Sequence, residues 1–242
     1  MATKRDERAE AAALKIYGDK QSSIAQRALF QVLSWGVVAG VFRFYFLGGA
    51  GAIAGSLGTT FAEASLLRRG LLFACAAIYA SRPVITQTVF LKRRFGWNEF
   101  STVIIWVAII QGVMAYLGGT NSAPVDGVAM LGAALYLLGS YFNTGSEWMR
   151  MVWKARPENK GRLYTEGLFK YSMHINYFGD FILFSGFAMI TGRFYAFVIP
   201  LLMASFFIFV NIPLLDRYLA SHYKDEFPAY AQKTAKFFPF VY

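Results

Sequence analysis

Six apolar runs of spanning length dominate the chain, at roughly 28–47, 70–91, 102–118, 127–149, 172–192 and 195–215. A helix rising about 1.5 Å per residue needs roughly 20 such residues to cross a bilayer core of about 30 Å. Inside that core each backbone N–H and C=O must be satisfied within its own segment, so runs of this kind fold as helices. Composition agrees, because 56% of the residues are hydrophobic and only 16% charged, against roughly 25% charged in ordinary soluble domains. The stretch GGAGAIAGSLGTT at 48–60 is too rich in glycine for a span and is expected to form a short re-entrant segment or a loop. The expected fold is all-α: an integral membrane bundle of six to seven transmembrane helices. A polar N-terminal segment at 1–27 precedes a single transmembrane domain at 28–242.

The net charge of +10 would suggest nucleic acid in a soluble chain, but the placement of the charges points elsewhere. Threading six spans puts 19 Lys and Arg on the side of the N-terminus, before residue 28, at 92–94, at 150–170 and after 216. The other side holds Arg68, Arg69 and Arg193, while Arg43 and Arg82 fall inside spans. Such asymmetry is the positive-inside signal, so both termini are expected on the cytoplasmic-type side. The expected partners are membrane lipids, and not nucleic acid. The endoplasmic reticulum membrane, a bacterial inner membrane and the mitochondrial inner membrane all satisfy this orientation. Asp6, Glu7 and Glu10 argue against a transit peptide, and no apolar stretch with a cleavage site precedes residue 28.

Cys75 is the sole cysteine, so an intramolecular disulfide and a thiolate cluster are both excluded. His174 and His222 are too few for a His-built metal site, and no metal is expected. G-x-G-x-x-G, G-x-x-x-x-G-K-[ST] and the G-x-S-x-G nucleophile elbow are absent as well.

Chemistry therefore has to come from polar residues within the apolar runs. Ionisable groups there are costly, about 2.5 to 3.5 kcal/mol on insertion scales, and normally face the bundle interior or a polar cavity. Arg82, Asn143, Glu147, His174, Asn176, Asp180 and Asp216 occupy such positions. Asn143 and Glu147 are four apart and share a helical face. Arg82 and Asn143 lie roughly 15 Å below the cytoplasmic-type boundary at about 1.5 Å per residue, and Asp180 a few turns down at most. The set is expected to converge on one cavity open to that side, suited to a charged ligand carrying phosphates.

The segments GSYFNTGSEWMRMVWKARP, GLFKYSMHINYFGD and HYKDEFPAYAQKTAKFFPFVY resemble the C-terminal domain of the steroid 5-alpha-reductase family and its uncharacterised bacterial relatives. More distantly they resemble sterol reductases and isoprenylcysteine carboxyl methyltransferases. The resemblance covers 75–242 and does not extend before residue 70. Gly167, Leu168, Phe169, Tyr171, His174, Asn176, Tyr177, Gly179 and Asp180 match the family pattern, whereas Met173 and Ile175 replace its frequent Arg and Pro. IYASR at 78–82 and IIQG at 109–112 look like the family's Tyr-x-x-Arg and Gln-Gly.

The resemblance implies NADPH as cofactor, held inside the bundle by Arg82, Asn143, Glu147, Lys154, Arg162, His174, Asn176, Asp180 and Tyr223. It offers Tyr79 as the catalytic proton donor. The activity implied is an oxidoreductase acting on CH–CH bonds, passing hydride to the activated double bond of an apolar lipid or sterol-like enone. The adjacent Gln-Glu pair that polarises the ketone in steroid reductases occurs nowhere in this chain. Two other expectations therefore stand beside the reductase: a non-catalytic accessory subunit packed against neighbouring membrane subunits, and a methyltransferase using S-adenosylmethionine.

Overall fold

The computed structural model describes residues 19–241, and the part of the expected polar N-terminal segment before residue 19 lies outside them. The helices are α1 (Ile24–Phe46), α2 (Gly49–Ser56), α3 (Leu66–Ile85), α4 (Trp97–Gly119), α5 (Gly127–Ser140), α6 (Ser146–Lys154), α7 (Ile175–Thr191), α8 (Val198–Phe206), α9 (Ile212–His222) and α10 (Glu226–Lys233). Among the described residues there is no strand. The chain in this region is all-helical.

Among the described residues three π turns interrupt the regular winding, at Thr86–Phe90 after α3, at Tyr141–Gly145 between α5 and α6, and at Phe207–Asn211 between α8 and α9. The last has an identifiable cause in Pro213, whose ring would collide with the carbonyl four residues back, at Phe209 inside the π turn. The middle one contains Asn143, Thr144 and Gly145, all weak helix formers. Each π turn admits one extra residue and so rotates the side chains that follow it.

Among the described residues three stretches are long and apolar enough to cross a membrane: Ile24–Phe46, Trp97–Gly119 and Phe194–His222. They fall on three of the six expected runs, and they give the bundle the character of a membrane protein. The other three runs are helical too, but α3 carries Arg68, Arg69 and Arg82, and α7 is a 17-residue apolar helix. Large apolar side chains such as Val32, Trp35, Ile105, Leu137 and Phe209 face outward, as lipid-facing helices require. Within the stretch at 48–60, Gly49–Ser56 winds into a short helix, α2, and the rest is turn and loop. Gly49 explains it, since the missing Cβ would lie 2.8 Å from the Arg43 carbonyl oxygen, and this close approach docks α2 against the end of α1.

The tightest packing joins α5 to α7. Gly132 and Gly139 on α5 meet Gly186 and Gly179 on α7 with backbone against backbone; a Cβ on Gly132 would lie 2.6 Å from the Gly186 carbonyl oxygen. Small residues serve this purpose in apolar bundles, where close van der Waals packing replaces a hydrophobic driving force between helices. The spacing of seven keeps both contacts on one face. As a result α7 is held against the π turn at 141–145, and this contact brings the polar residues of both elements together.

The opposite end of α7 is tied by Arg68, which is 2% exposed. Its guanidinium donates to the carbonyls of Pro124 at 2.9 Å, Ala123 at 3.3 Å and Ile190, while Asn121 Nδ2 donates to the Thr191 carbonyl at 2.8 Å. The last carbonyls of α7, which lack partners within the helix, are satisfied in this way.

The C-terminal tail folds back over the bundle. The backbone N–H groups of Met173 and His174 donate to the carbonyls of Ala235 (2.8 Å) and Lys236 (3.0 Å), and Ser172 Oγ donates to that of Phe237 at 2.9 Å. Phe237 is fully buried among Phe178, Phe181 and Phe207. The tail is thus packed against the start of α7 and the π turn at 207–211.

Candidate functional site

The polar residues resolve into three groups, the first two joined through Arg150. The first lies where α3, α7 and the π turn at 141–145 meet. Arg82 Nη2 contacts Asp180 Oδ1 at 2.9 Å, and Arg82 Nε donates to Thr144 Oγ1 at 3.3 Å. Asn143 Nδ2 donates to the Asn176 carbonyl at 3.1 Å, and Asn176 Nδ2 donates to Glu147 Oε1 at 3.1 Å. Glu147 is also paired with Arg150. Asn176 is thus bracketed by the two residues that the sequence placed four apart, one reaching its backbone and the other its side chain.

Charge here is concentrated and mostly withdrawn from solvent. The side chains of Arg82 and Glu147 are 12% and 13% exposed, and Asp180 is 20% exposed. Arg82 Nη1 is buried with no hydrogen-bond partner. A buried guanidinium donor left unpaired costs free energy, and it is a ready contact for an anionic or hydrogen-bonding ligand.

The second group surrounds Lys154 at the end of α6. Its ammonium donates to Tyr223 Oη at 2.8 Å and to the Arg162 carbonyl, while the Leu163 N–H donates to Glu226 Oε2 at 3.1 Å. Burial pulls Lys154 below the usual lysine range, Arg150 pulls it in the same direction, and Glu226 opposes both. Burial likewise raises the Tyr223 phenol, with Arg150 acting against it. Arg150 lies electrostatically between the two groups and connects them. Arg162 enters through its backbone; its side chain is exposed.

The third group separates His174 from the expected cavity. The ring is 1% exposed, its Nε2 lies 2.8 Å from Asp216 Oδ1, and it stacks on Tyr177 with centroids 5.6 Å apart. Lys236 Nζ approaches the same Asp216 at 3.7 Å. The single convergent cavity expected from the sequence is therefore corrected. His174 and Asp216 bind α9 and the tail to the start of α7, whereas Arg82, Asn143, Glu147, Asn176 and Asp180 form their own network. The physical reason is that Asn176 and Asp180 follow His174 by two and six residues, about 200° and 240° around a helix of 3.6 residues per turn, so they leave α7 on the other side, while Tyr177, one turn on, stacks on the ring.

Tyr79 lies one helical turn before Arg82 and packs edge-on against Phe184, with centroids 5.3 Å apart. Its hydroxyl makes no hydrogen bond among the described residues. Thr144, Arg150 and Gln111 were not assigned to the site from sequence. Arg150 could have been found three residues after Glu147 on the same face. Gln111, in the IIQG stretch, is 2% exposed with neither amide atom hydrogen-bonded. Thr144 gives no sequence signal, because the π turn sets its direction. Among the described residues no cluster of His, Cys, Asp and Glu could hold a metal ion.

No curated protein matches the chain. A family model does, over residues 75–234, about two thirds of the chain and a stretch that contains every residue from Tyr79 to Tyr223 discussed above. With a match of that extent, the chain belongs to DUF1295, a family of proteins of unknown function.

Proposed function

We propose that the protein is a membrane-embedded reductase that uses NADPH and acts on an activated C=C bond of an apolar lipid or sterol-like enone, as a member of the steroid 5-alpha-reductase group. The proposal includes six or seven spans, with both termini on the cytoplasmic-type side of an endoplasmic reticulum, bacterial inner or mitochondrial inner membrane. The observation that carries it is the unpaired, buried Arg82 Nη1 beside Asp180, joined through Asn143, Asn176 and Glu147 to the cations Arg150 and Lys154.

These residues fit a dinucleotide. Asn176, Glu147 and Asp180 offer acceptors and an amide for ribose hydroxyls and a carboxamide. Arg150 and Lys154 stand close enough that one depresses the other, and a phosphate between them would relieve that repulsion. When bound, NADPH would supply the hydride. Tyr79, unbonded and one turn from Arg82, would hold a proton at its Oη for the developing enolate. The aromatic and aliphatic side chains around it would exclude water.

One feature favours a second reading. Asp180 is already paired with Arg82, Asn143 and Glu147 both bond Asn176, and the Gln-Glu pair is missing, so the fold would also suit a non-catalytic accessory subunit. A thermal-shift titration of the detergent-purified protein separates the alternatives. The reductase reading expects stabilisation of several degrees at saturating NADPH, by mass action, and none with S-adenosylmethionine. Stabilisation by S-adenosylmethionine alone would move the assignment to a methyltransferase. Stabilisation by neither would leave the accessory reading.

A further inference from the structure

The molecule holds a second polar feature, at the end of the bundle away from the Arg82 network, in the part of the chain before residue 75. Arg43 lies in the last turn of α1, an otherwise apolar helix. Its side chain is exposed and has no hydrogen-bond or ion-pair partner among the described residues. It lines an open, mostly apolar groove of about 260 Å³ with Gly40, Phe44, Gly49, Ala52, Ile53 and Ser56, between α1 and α2. No carboxylate lines this groove.

The neighbouring cavity provides the contrast. It has a volume of about 240 Å³ and contains Arg69 and Glu63. There the arginine is occupied, donating to the Tyr45 carbonyl at 2.8 Å and approaching Glu63 at 3.5 Å. Arg43 is thus a lone cation set in an apolar trough near the end of a membrane-length helix. A guanidinium at such a depth reaches toward the interface and pairs with an anion that can meet it there.

We propose that this groove binds an anionic phospholipid, with the phosphate on Arg43 and an acyl chain along α1. Two observations favour a lipid over free phosphate. Gly36 and Gly40 lie one turn apart, each with nothing within 4 Å of where a Cβ would stand, so they leave an open track on α1 leading away from Arg43. Ile53 in the groove, and Leu47 and Leu57 just past the ends of α1 and α2, are exposed and apolar, and an acyl chain covers such surface where an inorganic ion does not. The inference rests on the membrane reading and is independent of the cofactor assignment.

Native mass spectrometry of the full-length protein released from detergent micelles tests it, with phosphatidylglycerol, phosphatidylcholine or inorganic phosphate added. Phosphatidylglycerol should be retained about tenfold more than phosphatidylcholine, as one charge-assisted guanidinium–phosphate pair implies. Arg43→Gln should reduce it to the phosphatidylcholine level, Arg43→Lys should keep part of it, and Lys160→Gln in an exposed loop should change nothing. Gly40→Leu, which fills the track and leaves the charge, should also lower retention. Melting points equal to that of the wild type identify the variants as folded; Arg43→Lys gives a second reading if Arg43→Gln fails that check. Equal retention of the two lipids, unchanged retention in folded Arg43→Gln, or displacement of the lipid by inorganic phosphate would overturn the proposal.

Discussion

Gly179→Ala is expected to abolish the cooperative melting transition of the detergent-solubilised protein. A methyl carbon there would stand 2.5 Å from the Asn143 backbone nitrogen and 2.7 Å from the Gly139 carbonyl oxygen. Neither neighbour is a flexible side-chain end, so the strain cannot be relieved by a rotamer change. Overpacking a core ordinarily costs about 1–3 kcal/mol and more where backbone must move, a large part of the 5–15 kcal/mol by which proteins are stable. Gly127→Ala is the control. It sits at the first residue of α5 with nothing within 4 Å, and should melt with the wild type or slightly above it, because alanine is the better helix former. If Gly179→Ala melted like Gly127→Ala, the backbone contact of α5 with α7 would not be what positions the site.

The second large effect concerns the Arg82–Asp180 pair. Asp180→Asn would leave a guanidinium that already has one unpaired buried nitrogen facing a neutral amide. Removing one partner of a buried ion pair typically costs about 3–5 kcal/mol, and solvent contact at the 12% and 20% exposed side chains places the expected loss toward the lower end. Arg82→Gln should cost less, because a buried carboxylate can take up a proton. The double variant Arg82→Gln/Asp180→Asn should be more stable than the sum of the two single losses implies, with a coupling of about 1–3 kcal/mol. Chemical denaturation of the four proteins measures it. Additive losses would mean that the two groups do not support each other in the folded protein.

The all-helical, membrane-like character could be read before any coordinates, because long apolar runs are a coarse signal that survives local irregularity. Finer features were hidden for definite reasons. The stretch at 48–60 looked like a loop on helix propensity alone, and only the contact of Gly49 with the Arg43 backbone shows why it winds into α2. The π turns leave no mark in a 3.6-residue periodicity, so Thr144 could not be aimed at Arg82 from sequence. Asn143 and Glu147 were correctly read as neighbours even though a π turn intervenes, since both still reach Asn176.

His174 shows the opposite failure. It was expected on one cavity with Asn176 and Asp180, but of that set it meets only Asp216 on α9, together with the backbone of Lys236, 42 and 62 positions away. Spacing carries no information about such contacts. The same holds for Lys154 and Tyr223, which meet at 2.8 Å across 69 positions and were suggested only by resemblance. Arg43 was noted as lying within a span and assigned no role, because the feature that distinguishes it from Arg69 is the absence of a partner.

The central claim is that the network around Asn176 holds a dinucleotide. Equilibrium binding of radiolabelled NADPH to the purified protein tests it most directly, with Asn176→Ala alongside the wild type. The account predicts saturable one-site binding by the wild type and at least a tenfold weaker affinity in the variant, from the loss of two hydrogen-bonding groups to the ligand. Gly127→Ala should bind as the wild type does. No saturable binding to a wild-type sample that melts cooperatively, or equal affinity in Asn176→Ala, would contradict the account.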